Sequence, residues 1–269
     1  MKKITRIAIF GALGKMGKIL IKKIHKDLNF NITVAIIKKT DPRIGKDLGK
    51  ILGIKNINIK TDCCLEKKIK NFDILIDFSN TSETMRNLFL CKKYKKKMII
   101  GTTGFNEQEI QKIKESSKKI AIIFSANYSI GINLILNILE KITKTLVPHS
   151  DIEIMEFHHN KKIDAPSGTA LMLGEKIANT MNWKLKDHSI YERNGKIGKR
   201  PIKKIGFSTI RGGDVIGEHT IIFASKGERV EISHKASNRT LFANGVLRAL
   251  NWILRKNDGY YNMEDVLKI

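Results

Sequence analysis

Residues 156–170 read Glu-Phe-His-His-Asn-Lys-Lys-Ile-Asp-Ala-Pro-Ser-Gly-Thr-Ala, so proton-transfer groups, cations and a helix start follow one another. His158 and His159 titrate near neutrality and suit protonation of a reacting atom, and Lys162 adds a point charge and a proton. Pro166 stops the loop and Ser167 is a natural helix N-cap. Backbone N–H groups of Gly168 and Thr169 would then meet a carboxylate or phosphate at the positive end of the helix dipole. The chemistry these types support together is proton transfer to an anionic substrate. Taken alone, the segment reads equally well as a solvated turn before an ordinary capped helix.

Such groups need elements to hold them. Ile152, Ile154 and Phe157 among carboxylates predict a half-buried strand over 151–157 that leaves the imidazoles at its end. Ala170, Leu171, Gly174, Ile177, Ala178 and Met181 recur at helical spacing and predict the buried stripe of the following helix. Further strands are expected at 189–193, 205–211, 215–224 and 229–234, with Arg211-Gly212-Gly213-Asp214 as a turn or a flexible active-site loop. One helix among consecutive strands points to an α+β domain with a mixed or antiparallel sheet.

The first half of the chain has a different rhythm. An apolar run over 4–10 meets Gly11-Ala12-Leu13-Gly14-Lys15-Met16-Gly17, and Ile19, Leu20, Ile21 and Ile24 then mark a helix. Glycines at a strand-to-helix turn let the backbone approach a pyrophosphate seated on the helix start. The spacing is G-x-x-G-x-x-G, and such a loop is a weak signal without its context, here a second β run over 32–37. Strand runs at 57–60, 74–78, 98–101 and 120–124 alternate with helical segments near 65–70, 82–94 and 107–118, the pattern of a parallel sheet covered on both faces. Gly101-Thr102-Thr103-Gly104 and Ser125-Ala126-Asn127-Tyr128 fall at strand ends, where open α/β sheets bind ligands, though either loop alone reads as well as an ordinary turn.

A helix over 129–146, with Ile130, Leu134, Ile135, Ile138, Leu139, Ile142 and Leu146 on its expected buried face, leads from one half to the other. A final helix over 240–254, with Leu241, Val246, Leu247, Leu250 and Ile253 inward, is expected to return to the first domain. The expected organisation is thus a dinucleotide-binding domain over 1–129, completed by 241–269, and a substrate and oligomerisation domain over 130–240.

Composition narrows the classes. No apolar run reaches the roughly 20 residues of a membrane span, and the start enters a strand too soon for a signal peptide, so a soluble cytoplasmic protein is expected. Cys63, Cys64 and Cys91 lack C-x-x-C spacing, which argues against a disulfide framework or a metal site. The net charge of +24 raises the possibility of nucleic-acid binding. Its lysines are spread over every segment, without an aromatic-interleaved platform, and solvated lysine faces account for them better.

The pattern His158-His159-x-x-Lys162-x-Asp164-x-Pro166-Ser167-Gly168-Thr169-Ala170, with Gly101-Thr102-Thr103-Gly104, Gly11-x-x-Gly14-x-Met16-Gly17 and Gly217-Glu218-His219, resembles the 4-hydroxy-tetrahydrodipicolinate reductases of lysine and diaminopimelate biosynthesis. The resemblance spans the chain. It implies NAD(P)H-dependent reduction of a cyclic dicarboxylate to tetrahydrodipicolinate and water, with His158 as acid/base residue, Lys162 as proton donor, and His159, Gly168 and Thr169 binding substrate. It also implies a Rossmann-type doubly wound sheet with an α+β domain, and a homotetramer joined through the second domain's sheet. Cofactor contacts are expected at Gly11, Ala12, Leu13, Gly14, Lys15, Met16, Lys38, Lys39, Gly101, Thr102, Thr103, Ser125, Ala126, Asn127 and Tyr128. Lys38 and Lys39 stand where the family commonly has an acidic residue for the adenine ribose, which points to NADPH over NADH. The alternatives are another Rossmann oxidoreductase of amino-acid metabolism, such as a semialdehyde-type dehydrogenase, and a basic nucleic-acid-binding protein.

Overall fold

The structure, a computed structural model, describes residues 4–55 and 57–269, and the expectation drawn from the chain's start lies partly outside them. The chain divides into two compact units, Met1–Ser129 with Thr240–Lys268, and Ile130–Arg239. Thr240 falls in the first because it begins a helix of that unit.

In the first unit the elements are β1 (Thr5–Phe10), α1 (Lys15–Ile24), β2 (Phe30–Ile36), α2 (Leu48–Leu52), β3 (Thr61–Asp62), β4 (Ile74–Asp77), α3 (Thr81–Lys93), β5 (Lys97–Ile100), α4 (Glu107–Ser117) and β6 (Ala121–Phe124). Among the described residues its sheet has seven strands, six of them in the order β3-β2-β1-β4-β5-β6, the Rossmann order, all parallel. Parallel strands covered on both faces must be apolar on both, and β4 is buried throughout. On β1, Ile7 and Ile9 pack toward Leu20 and Ile24 of α1, while Ala8 joins the opposite cluster with Leu88 of α3 and Ile113 of α4. Fully burying such side chains stabilises by roughly 1.5–3 kcal/mol each.

The second unit contains α5 (Ile130–Leu146), β7 (Asp151–His158), α6 (Gly168–Thr180), α7 (Leu185–His188), β8 (Ser189–Ile190), β9 (Ile205–Arg211), β10 (Gly217–Ser225) and β11 (Glu228–Ala236). Its strands form a mixed sheet in the order β11-β10-β7-β9-β8, and α5 and α6 cover one face over a core of Leu139, Ile154, Leu173, Ile177, Phe207 and Phe223. The chain then re-enters the first unit as α8 (Thr240–Ile253), β12 (Gly259–Tyr261) and α9 (Met263–Leu267), with β12 added in parallel beside β6.

Several local expectations are corrected. The run 57–60 forms no strand of the sheet; Leu48 N–H donates to the Ile59 carbonyl, and Thr61 N–H and carbonyl bond Lys46 and Gly45, so a turn takes the bonds a ladder would need. The strand expected over 189–193 ends at Ile190, and Arg193 leaves to bind the Glu153 carboxylate at 2.6 and 2.8 Å. Residues 215 and 216 precede β10, and the Val215 carbonyl instead accepts from His159 N–H. The segment near 65–70 is a 3-10 helix, Glu66–Asn71. On α6 Leu173 is buried, whereas Leu171 and Met181 are only partly so. The α5 stripe is rotated: Ile132, Ile135, Leu136 and Leu139 face inward, and Ile130 and Leu134 are 38% and 46% exposed. In the first turns Ile130, Ile132, Leu134, Ile135 and Leu136 put apolar side chains on several sides of the helix, so packing chooses the buried one. On α8, Ala243, Gly245 and Ala249 join Val246, Leu250 and Ile253 on the buried side, and Leu247 is only partly buried; Gly245 lies against the Tyr128 carbonyl, where a Cβ would overlap it.

Candidate active site

Strand alternation builds the centre of the second unit. On β7, Ile152, Ile154, Glu156 and His158 share the helix-covered face, the first two in the apolar core and the last two extending it as a buried polar pair. Phe157, expected inward, therefore points to the other face. Register sets Thr209 of β9 and His219 of β10 beside Glu156, and Arg211 of β9 beside His158.

The Glu156 carboxylate is 1% exposed. Arg211 grips it with two N–H groups at 2.7 and 2.9 Å, and the Thr209 hydroxyl and Ser167 N–H each donate at 3.2 Å. His158 Nδ1 closes the set with a short bond to the remaining side. Burial pushes Glu156 up, but Arg211 and His158 outweigh it and hold the carboxylate below its usual range. Burial likewise drives the His158 pKa down, and Glu156 opposes this only in part, while the charges of Lys162 and Arg211 depress it further. His158 is therefore neutral at neutral pH, with Nε2 turned toward Gly217, where a Cβ would come within 2.9 Å of it.

The loop after β7 is tied to the same centre. Gly212 N–H donates to the His158 carbonyl, and His159 and Asn160 N–H groups donate to Val215 and Gly213. Lys162 reaches both Asp164 oxygens at 2.8 Å, and Arg211 donates to the Asp164 carbonyl at 2.7 Å. Ser167 caps α6 by accepting from Ala170 N–H at 3.2 Å, and its hydroxyl lies 3.0 Å from His219 Nε2. Gly168 is exposed, and a Cβ there would meet nothing within 4 Å. His159 Nδ1 is buried with no hydrogen-bond partner among the described residues. His219 is pushed down to about 4 by burial and by His158, whose ring stands 5.1 Å away edge to face. His158, His159, Lys162, Gly168 and Thr169 thus lie on one strand end, its loop and the helix start.

Sequence assigns no site role to Glu156 or Thr209, and it brings in Arg211 only with the turn or active-site loop over 211–214 and His219 only with the Gly217-Glu218-His219 motif, although the period-2 pattern from Ile152 and Ile154 already places Glu156 on the buried face. No group of His, Cys, Asp or Glu suited to a metal occurs among the described residues.

In the first unit, the loop after β1 fits a dinucleotide phosphate. Gly11 has φ +80°, and a Cβ there would come within 2.6 Å of the Phe78 carbonyl oxygen; at Gly17 a Cβ would run into the carbonyls of Gly11 and Ala12. No side chain caps α1 at Gly14. Leu13 and Met16 are half-buried, while Gly14, Lys15, Lys38, Lys39, Thr103 and Ala126 are exposed. The side chains of Ala12, Thr102 and Tyr128 are turned inward, so any contact they make with a cofactor is through backbone. Ala12 and Tyr128 pack in the core, and the Tyr128 hydroxyl donates to the Ile100 carbonyl at 2.9 Å. Thr102 accepts from Ser79 N–H and the Thr84 hydroxyl, each at 3.0 Å. The Asn127 side chain accepts from Ser129 N–H at 2.8 Å, and the Ser125 hydroxyl donates to the Asn127 carbonyl at 2.8 Å. Gly101 lies against the Phe78 ring.

Two family models match, dihydrodipicolinate reductase N-terminus over residues 5–128 and C-terminus over 131–267. The chain is 51% identical over 272 residues to 4-hydroxy-tetrahydrodipicolinate reductase of Buchnera aphidicola subsp. Baizongia pistaciae, covering 100% of both chains. Its counterpart from the subspecies Schizaphis graminum is 50% identical, with 99% of this chain and 98% of that one covered. The solved structure of a dipicolinate-bound dihydrodipicolinate reductase from Paenisporosarcina sp. TG-14 shares the fold at TM-score 0.76 and 22% identity, with 98% and 99% covered. An amine dehydrogenase from Mycobacterium smegmatis shares it more distantly, at TM-score 0.62 and 10% identity with 97% and 96% covered. A Rossmann unit, a mixed-sheet unit with a histidine–lysine centre, and full-length relatives at half identity converge: the chain belongs to the dihydrodipicolinate reductase family, nicotinamide-dependent oxidoreductases of lysine biosynthesis.

Proposed function

We propose that the chain reduces 4-hydroxy-tetrahydrodipicolinate to tetrahydrodipicolinate and water, with the hydride supplied by NADPH or NADH bound at the Gly11–Met16 loop, Lys38-Lys39, Gly101–Thr103 and Ser125–Tyr128. The observation that carries the assignment of roles is His158 locked on Glu156 at the end of β7, beside the Lys162 loop and the Ser167-capped helix start. Hydride addition to an unsaturated ring develops negative charge, which a positioned acid must quench. Lys162 supplies that proton and meets a ring carboxylate, and His158 holds or returns a proton at Nε2. His159, Gly168 and Thr169 take the second carboxylate, with the helix dipole behind them.

Asp164 suits Lys162 to this work. It holds the ammonium in place between turnovers, but at 55% side-chain exposure the pair is worth less than about 1 kcal/mol, so a substrate carboxylate can displace it. On the other face of the second sheet, Met155 and Ile210 are 38% and 41% exposed, an apolar patch suited to the tetramer contact the family resemblance implies. We place the enzyme in the cytoplasm: its cysteines are free, and no helix among the described residues is long and apolar enough to cross a membrane.

Lys38 and Lys39 follow β2, exposed, where an acidic residue would favour NADH. Each contributes on the order of 1 kcal/mol toward a 2′-phosphate, less at high salt. The test is an assay following NADPH or NADH absorbance with the pathway substrate at low ionic strength. The expected result is turnover with NADPH favoured by roughly tenfold or more in KM, reversed toward NADH in Lys38→Glu/Lys39→Ala. No turnover with either cofactor would overturn the reaction, and equal use of both would overturn the cofactor preference.

A further inference from the structure

We propose that Glu156 is the positioning residue of this site: its carboxylate orients the His158 ring through Nδ1 and, by the same two oxygens, anchors the α6 start and the Lys162 loop. The inference rests on the reaction assigned above and extends it to a residue that touches no substrate.

A buried carboxylate without partners is costly, and two oxygens offer about four acceptor sites. Here five donor contacts more than occupy them: Arg211 twice, Thr209, Ser167 N–H and His158. Three of these connections lead to separate parts of the centre. The bond to Ser167 N–H fixes the residue whose hydroxyl caps α6. Arg211, held in a two-pronged grip, passes its second donor to the Asp164 carbonyl, two residues from Lys162. The third sets the protonation pattern of the acid/base residue. Held charged by Arg211, Glu156 can only accept, so the hydrogen it shares with His158 stays on Nδ1, and Nε2 is left to exchange the working proton. Gly217 leaves room for that nitrogen, because a side chain there would cover it.

The charged and titratable groups facing His158 are Glu156 on β7, Lys162 in the loop, Arg211 on β9 and His219 on β10, which itself neighbours His234 on β11. Among these Glu156 alone favours the protonated imidazole. Its removal therefore lowers the His158 pKa and moves the corresponding limb of the pH–rate profile to lower pH.

The decisive experiment is nitrogen-15 NMR of histidine-labelled full-length protein above the His158 pKa, with His158→Gln for assignment, beside kinetics of Glu156→Gln. The expected results are an Nδ1–H tautomer at His158 in the wild type and a mixed or Nε2–H tautomer in Glu156→Gln. Its kcat should fall on the order of 10²-fold, with NADPH KM changed less than about twofold and the limb displaced to lower pH. An Nε2–H tautomer in the wild type, or an unchanged tautomer and limb in the variant, overturns the proposal. The wild-type tautomer decides the orientation even where Glu156→Gln fails to fold. An Nδ1–H tautomer in a wild type without reductase activity upholds the orientation and overturns the reaction.

Discussion

Two carboxylates lie almost without solvent near the carboxyl ends of strands, Asp77 on β4 of the first unit at 0% exposure and Glu156 on β7 of the second at 1%. Their partners differ in charge. Asp77 receives neutral donors, the Ser79 hydroxyl at 2.5 Å and the Asn87 amide at 2.8 Å, and burial pushes it up to about 6. Glu156 faces Arg211 and a histidine, and stays ionised despite its burial. The contrast fits the roles we propose for the two charges. Asp77 fastens Ser79 beside Thr102 and keeps this role with a proton on it, whereas Glu156 orients a proton-transfer group and must remain an anion.

Breaking the second pairing should have the largest effect. Arg211→Met leaves Glu156 buried without its cation, and the second unit is expected to lose about 3 kcal/mol, with most reductase activity. Urea unfolding that matches wild type would mean that Arg211 is not the partner holding the charge.

Acidification should sharpen the contrast by moving the two units in opposite directions. His219, neutral when folded with a pKa of about 4, gains protons mainly when unfolded, so its contribution is present above the unfolded value near 6.5 and is lost as pH falls through the folded one. From pH 7 to 5 the second unit should lose about 2 kcal/mol through His219, with His158 and His234 shifted in the same direction. Asp77 has a raised folded pKa, so its contribution is fully present below the unfolded value and disappears as pH rises through about 6. The first unit should gain about 1 kcal/mol over the same interval. Amide-exchange protection factors for β4 and β7 at the two pH values read both shifts, and parallel changes would contradict the assignment. Asp77→Asn supplies the smallest effect, removing that gain of about 1 kcal/mol and leaving the protection of β4 flat between pH 5 and 7.

How much of this could be read from the chain follows from how local each signal is. The turn at Gly11, the alternation of strands and helices, and the order His158, Lys162, Ser167 are contiguous patterns, and residues 151–170 carry their strand and cap chemistry openly. The grip of Arg211 on Glu156 spans 55 residues and depends on β9 lying parallel to β7 in one register, which no local pattern encodes. The buried side expected for α5 is rotated from the observed one because Ile130 and Leu134 are as apolar as Ile132 and Leu136, and only packing separates them. Three-residue β12, Gly-Tyr-Tyr, is too short for any periodicity, and only the open edge of β6 makes it a strand.

The central claim is that the second unit's cluster delivers the proton that completes hydride transfer, and Lys162 is the residue on which it depends most directly. Single-turnover oxidation of bound NADPH by Lys162→Ala at saturating pathway substrate is expected to be slower than wild type by roughly 10²–10⁴, with NADPH affinity unchanged. A correctly folded Lys162→Ala protein that turns over at the wild-type rate would contradict it.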